Sequence, residues 1–569
     1  MTERTAALDA LDRAIADLGV TVWIGAEPTY THRSSTAPVW LHRADSDDDD
    51  GRSKRAAGAA IAAALAAGSA GRAEPVAGRQ FPDEPTPRFR FAVHADAIVS
   101  ATALPVLPDA AAALLAAPLG PEPSSITLTV TPDPGVVEIN TAPCATLVAF
   151  ARQLTAIDAA ATAAGLSADR YRYNGDVVDS GGGGQLTVGG PSPEASPFFT
   201  HPALLPRLLR YVHNHPALSY WFLGECAGSA SQSPRPDEGV RERADLLALA
   251  CDELEHLAAT DALTPELTWQ TVAPILVDAA GNPHRAELNV EKLWNPTAPR
   301  GCLGLVEWRA FRMAPTPAAL IAAAALVRAV TARCAVAPYQ APWHDWGSTL
   351  HHRWALPSEL AADLAAVVAD LAAHGLDLGP LTDDLASYRE PALVAHAIHD
   401  TLAVEVHRAV EFWPLYGDVA SQERATARTV DASTERVEVV ITTALDAPAP
   451  RLVVGGRGVV LAAAAPGRYR VGVRRRRFVP MPGFLPSVPA DEPLVLHVGD
   501  DTAAVTIELH AWRPGGGPYD GLPADRADAD RRRAERAIIT PLAGGLAWPR
   551  RIVTATDTVD ARAWREEVS

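Results

Sequence analysis

Apolar positions in this chain change period several times, and the changes predict its elements. The opening MTERTAALDALDRAIADLG repeats its apolar residues with a helical period, and the following GVTVWIG reads as a strand ending at Glu27 and Pro28. A polar loop carrying the acidic run Asp47 to Asp50 comes next, read as a solvated tip with Lys54 in a loop beside it. Residues 56–71 are an alanine-rich run interrupted by glycine, too weakly hydrophobic for a membrane span, and predict a buried or surface helix. In 126–140, ITLTVTPDPGVVEIN, two strand-like runs flank a Pro-Asp-Pro-Gly turn, which is a hairpin signal. Helix follows to about residue 165, then a glycine-rich loop containing a short strand, SGGGGQLTVGGPSPEASPFF.

Helical periodicity returns at 202–214 and 238–259, separated by the irregular GECAGSASQSPRPDE. Two strands, HRAELNVEKLW and GLVEWRAFRM, precede alanine- and leucine-rich helices near 316–332 and 357–374. From Arg436 the chain turns to short β-type runs such as VEVVITTA, RLVVGG and AVTIELHAW, and the tail from Gly515 holds one helix near 524–538. No repeat of fixed period is present. Hairpins mixed with long helices, without β-α-β alternation, predict an α+β fold. The expected division is a main region 1–433, a small β-rich domain 434–514 and a tail 515–569.

Composition narrows the partners. A formal charge of −18 over 569 residues argues against nucleic acid and against an anionic membrane surface, both of which need a basic face. Five scattered cysteines without a C-x-x-C pair, and a charged start unlike a signal peptide, predict a reduced, cytoplasmic chain. Of 50 basic residues only Lys54 and Lys292 are lysine, which marks each for inspection.

Candidate chemistry lies on the strands. Alternation puts Glu138 with Asn140, puts Glu287 with Asn289 and Glu291 opposite Lys292, and puts Glu307 with Arg309. Acids gathered from several strands repel unless cations sit among them, and divalent magnesium is the natural occupant. The run Gly181 to Gly184 fits neither a P-loop nor a Rossmann fingerprint, although its backbone could approach a phosphate closely. Arg408, Arg428 and Arg436 lie in polar, non-periodic surroundings suited to clamping phosphate or carboxylate. The histidines form no H-E-x-x-H, and no cysteine sits in a nucleophile motif, so zinc hydrolysis and cysteine proteolysis find no support.

The segments WIGAEPTYT, FPDEPTPRF, TLTVTPDPGVVEIN, GGGGQLTVGGPSPEASPF, NHPALSYWF, SQSPRPDE, GNPHRAELNVEKLWNP, LGLVEWRAF, WGSTLHHRWALP, VDASTERVEV and PGGGPYDGLP run in order along the chain. Together they resemble the amidoligase family of the glutamine synthetase-like carboxylate–amine ligase superfamily, in which a transglutaminase-like domain precedes this unit in many relatives; a stand-alone form is expected here. The resemblance implies a curved antiparallel sheet flanked by helices and an ATP-dependent ligase that makes an amide or peptide bond through an acyl phosphate. The implied substrates are an amine and the carboxylate of an amino acid, peptide or peptide-like natural-product precursor, with homo-oligomerisation left open. It implies Glu27, Glu138, Glu307 and, more weakly, Glu287 as magnesium ligands. It implies Arg309 and Lys292 in phosphate-holding or catalytic roles, and beside it the residue readings above make Arg408 a catalytic candidate and Gly182, Gly183, Gln185, Asn140, Arg309, Arg428 and Arg436 candidates around ATP. One departure stands out: relatives carry Asn and His where this chain has Gly184 and Gln185, which keeps open a non-catalytic scaffold that binds nucleotide or peptide for a partner enzyme.

Overall fold

The computed structural model describes residues 3–32, 49–80, 86–102, 108–121, 126–133, 135–224, 226–227, 235–278, 281–389, 393–399, 402–417, 429–479, 488, 490, 492–554, 556–562 and 564. Arg428 and the run Asp47 to Asp48 lie outside them. The fold is α+β, as the sequence predicts.

Two antiparallel sheets, of four and five strands among the described residues, carry the chemistry. The first is ordered β1 (Trp23–Glu27), β7 (Gln185–Gly189), β9 (Val306–Trp308), β8 (Leu288–Asn289). The other is β2 (Thr29–Tyr30), β6 (Val136–Asn140), β5 (Leu128–Asp133), β4 (Phe89–His94), β3 (Arg72–Ala77). Pro28 joins the two sheets. Proline has no N–H to give to a ladder, so β1 and β2 part there. Its carbonyl still accepts from Ile139 at 3.0 Å, and Thr141 donates to Ala26 at 3.0 Å, so hydrogen bonds run from β6 to both strands. The predicted hairpin is β5 and β6, with Gly135 at φ +79° in the turn, a region that glycine enters without steric cost.

Helices cover the apolar face. Pro317–Val336 lies at the centre, started by Thr316, whose hydroxyl accepts from the Ala319 amide, and by proline in the first turn. It is the one helix among the described residues long and apolar enough to cross a membrane, and 94% of that stretch is buried inside the protein. Its small alanines let helices Leu147–Ala163 and Leu204–Asn214 approach it closely. Arg328, buried within it, ties down the N-terminal region by donating to Val22 O at 2.7 Å, to Ala145 O at 2.7 Å and to Asp12.

Two expected elements change. HRAELNVEKLW yields only Leu288–Asn289 as strand, because the Asn289 side chain accepts from the Glu291 amide at 2.7 Å and turns the chain. Lys54 is buried within helix Asp49–Gly68 rather than sitting in a loop. Toward the C-terminus two six-stranded sheets enclose a separate core of Val404, Val439, Ile441, Leu496 and Ile507. The first draws in Leu393–His399 and Leu402–Arg408 beside Thr434–Thr442 and Arg468–Arg476.

Candidate active site

Register defines the face on which the chemistry collects. Glu27 stands opposite Gln185, Glu307 lies opposite both Thr187 and Asn289, and Glu138 stands opposite Thr29. Directly opposed residues share a face. Just past β9, the Arg309 amide donates to Glu287 O at 2.9 Å, which extends that ladder by one residue.

Glu307 and Arg309 are both buried, and the guanidinium donates to the carboxylate while its Nε reaches His284 O at 3.1 Å. Glu27 is half-buried, with its Oε1 3.6 Å from Lys292 Nζ. Burial pushes the Glu27 carboxyl up to about 6 and the Glu307 charge adds to this, with Lys292 and Arg309 opposing. Glu138 is raised well above the carboxylate range, by burial and then by the charges of Glu27 and Asp133. Lys292 is raised as well: burial alone would lower it, but Glu27, Glu307 and Glu138 more than compensate and hold its ammonium charged. Three acids from three strands thus repel one another around a single lysine.

Two further residues border this cluster. Asp133, at the end of β5, is raised by burial against the pull of Lys54 and Arg88. Lys54 donates from Nζ to Asp133 O at 2.5 Å, and burial brings its ammonium down to about 8. Both lysines of the chain therefore flank the acidic sheet face. Lysine rarity pointed to Lys54, but nothing in the sequence signalled that Asp133 faces it across seventy-nine residues.

The glycine run is packed rather than open. Thr29 Oγ1 lies 2.7 Å from Ser180 Oγ and donates to Gly183 O at 2.8 Å, and the Gly184 amide donates to Phe311 O at 3.0 Å. A Cβ on Gly182 would meet the Thr29 side chain at 2.8 Å, and one on Gly184 would meet Arg312 O at 2.4 Å. Glycine is required because other chain segments approach so closely. Gln185 is buried, its amide folded back over Gly183.

The other expected residues lie elsewhere or are engaged differently. Lys292 reaches the acids although strand alternation put it on the opposite face, because β8 ends at Asn289 and the turn swings it round. Asn140 gives its amide to Glu138 Oε1 at 2.9 Å and so orients that acid. Glu287 turns to Arg241, 3.4 Å away, instead of joining the acids. Arg408 meets Asp176 at 2.9 Å, and Arg436 is buried against Glu411 at 3.3 Å; both belong to the C-terminal sheets rather than to the acidic face.

Hard divalent cations take oxygen donors, and the repelling carboxylates of Glu27, Glu138 and Glu307 fit such an ion in donor type. Among the described residues no three His, Cys, Asp or Glu side chains already converge as a ligand set. Binding one ion through all three acids would require side-chain rotation.

Comparison with known proteins gives one finding. The family described as "Putative amidoligase enzyme (DUF2126)" matches residues 118–556, which include Glu138, Gln185, Lys292, Glu307 and Arg309. No curated protein matches the chain. Glu27 and Lys54 precede the matched span, and the fold brings both to the same sheet face or its border. With well over half of its length matched, the chain belongs to this amidoligase family.

Proposed function

We propose that the protein is an ATP-dependent carboxylate–amine ligase that forms an amide or peptide bond through an acyl phosphate, with magnesium at the acidic sheet face. The observation that supports it is the gathering of Glu27, Glu138 and Glu307 from three strands around Lys292 and Arg309. Bound between those acids and the nucleotide, magnesium would neutralise charge developing on the transferred phosphoryl group. The chain's own groups have separate tasks. Arg309, its planar guanidinium oriented by Glu307 and His284 O, presents a fixed cation to phosphate oxygens. Lys292, more exposed at 44%, can swing from Glu27 toward the acyl oxygen as charge builds there. Asn140 holds the Glu138 carboxylate in place. The acceptor carboxylate belongs to an amino acid, a peptide or a peptide-like precursor, and the attacking group is an amine.

The test is release of ADP and phosphate by the purified protein with magnesium and panels of carboxylates and amines, alongside ATP binding by calorimetry. Turnover that falls by orders of magnitude in Glu307→Gln supports the reading. Absence of both ATP binding and nucleotide release sinks it. ATP binding without turnover for any pair would instead identify a scaffold, the alternative that Gly184 and Gln185 leave open by standing where relatives carry Asn and His.

A further inference from the structure

Arg312, beside the glycine run, and Arg389 form no ion pair among the described residues, whereas Arg309, Arg328, Arg408 and Arg436 each meet an acid. Arg312 pairs with Gly183 in an isolated antiparallel bridge just past β9, and Arg389 ends the short 3-10 turn Ser387–Arg389. Both are half-buried. Their guanidiniums meet only main-chain oxygens: Arg312 donates to Tyr388 O, and Arg389 reaches Tyr220 O and Arg408 O, each at 3.4 Å. The Nε of each is buried without a hydrogen-bond partner.

The two cations converge. Arg312 is bonded to the residue before Arg389, and both pack on the segment from Tyr220 to Gly224. There the Arg312 amide donates to Phe222 O at 3.0 Å, and the Arg389 guanidinium lies 5.8 Å over the Trp221 ring. Burial and then the charge of Arg312 bring Arg389 down to about 10.

Two acids lie nearby, and both are engaged elsewhere. Glu438 opposes the shift of Arg389 but accepts from the Ser358 amide at 3.0 Å and from its hydroxyl. Asp179 accepts from the Gly181 amide at 2.9 Å, and its charge acts on Arg170. Gly224 contributes no side chain between Asp179 and Arg312: a Cβ there would stand 3.3 Å from Asp179 Oδ2 and 3.8 Å from Arg312 Cδ. Carbonyl oxygens carry no net charge, so two guanidiniums that repel each other are costly until an anion joins them. Their planar donor forks match an oxyanion.

We infer that Arg312 and Arg389 form a binding site for an oxyanion, held by the two guanidiniums together beside the glycine run. The oxyanion is a carboxylate of a substrate or a phosphate group, since both present the same charged oxygens to arginine. Binding requires neither ATP turnover nor magnesium, so the site stands or falls separately from the ligase reading.

The experiment is calorimetric titration of the full-length protein, without nucleotide or magnesium and at constant ionic strength. The probes are malonate, inorganic phosphate and, as an uncharged control, malonamide. Saturable binding of malonate or phosphate is expected, at least tenfold weaker in both Arg312→Gln and Arg389→Gln, with no binding of malonamide. Tighter binding of malonate assigns the site to a substrate carboxylate, and tighter binding of phosphate assigns it to a phosphate group. Should one variant fail to fold, the other variant and the wild-type titration still decide. No saturable binding of either anion by the wild type, equal binding of malonamide, or undiminished binding in a folded variant would each overturn the inference.

Discussion

Lys292 Nζ stands 3.6 Å from Glu27 Oε1, joining a lysine from the turn after one edge strand to an acid at the end of β1, 265 residues away. The pair sets the charge balance of the acidic face, because Lys292 opposes the upward shift that burial and Glu307 impose on Glu27.

Replacing Lys292 with methionine should therefore act on pH as well as on rate. Glu27, at about 6 with the lysine present, rises further without it. The acidic limb of the kcat/KM profile for nucleotide release should move to higher pH, and turnover should drop on the order of 10²-fold. Lys292→Arg should keep the limb near its original position.

Glu138→Gln should stabilise the divalent-free protein while abolishing turnover. A carboxyl whose folded pKa is raised favours the folded state below its unfolded value and loses that contribution as pH rises through the folded value. For Glu27, moved from 4.5 to about 6, the loss is about 2 kcal/mol, and Glu138 shifts in the same direction. Urea midpoints of the wild type should fall between pH 5 and pH 8. The Glu138→Gln midpoint should fall less and exceed the wild type at pH 8.

Arg309→Met leaves the Glu307 carboxylate buried without its principal cation and should cost about 3–5 kcal/mol in chemical denaturation. The double variant with Glu307→Gln should recover part of that loss. A double-mutant cycle without coupling would show that the pair contributes nothing to stability.

Two neighbouring glycines should respond differently to alanine. At Gly184 the new Cβ meets the backbone oxygen of Arg312 at 2.4 Å, so the strands must move and the melting temperature should fall by several degrees. At Gly183 it meets the end of the Gln185 side chain, which can rotate away, so Gly183→Ala should change stability less and nucleotide affinity more.

The acidic strands were legible because alternation has a period of two wherever a strand persists. Glu307 with Arg309 share a face as alternation predicts, as does Glu138 with Asn140. The same rule misplaced Lys292, since the Asn289 turn ended the strand before the pattern reached it. Arg408 and Arg436 carried no local signal at all. A guanidinium chooses its partner by three-dimensional proximity, and theirs are Asp176 and Glu411.

By itself the sequence determined the α+β class, the hairpin at 126–140, and which acids project from which strands, because each depends on neighbours a few residues apart. Tertiary structure alone decided that Glu27, Glu138 and Glu307 share one field, that Lys54 lies buried against Asp133, and that Gly182 to Gly184 are a packed crossing. Those outcomes depend on strand order and on burial, which shift charges and exclude side chains only once distant segments have met.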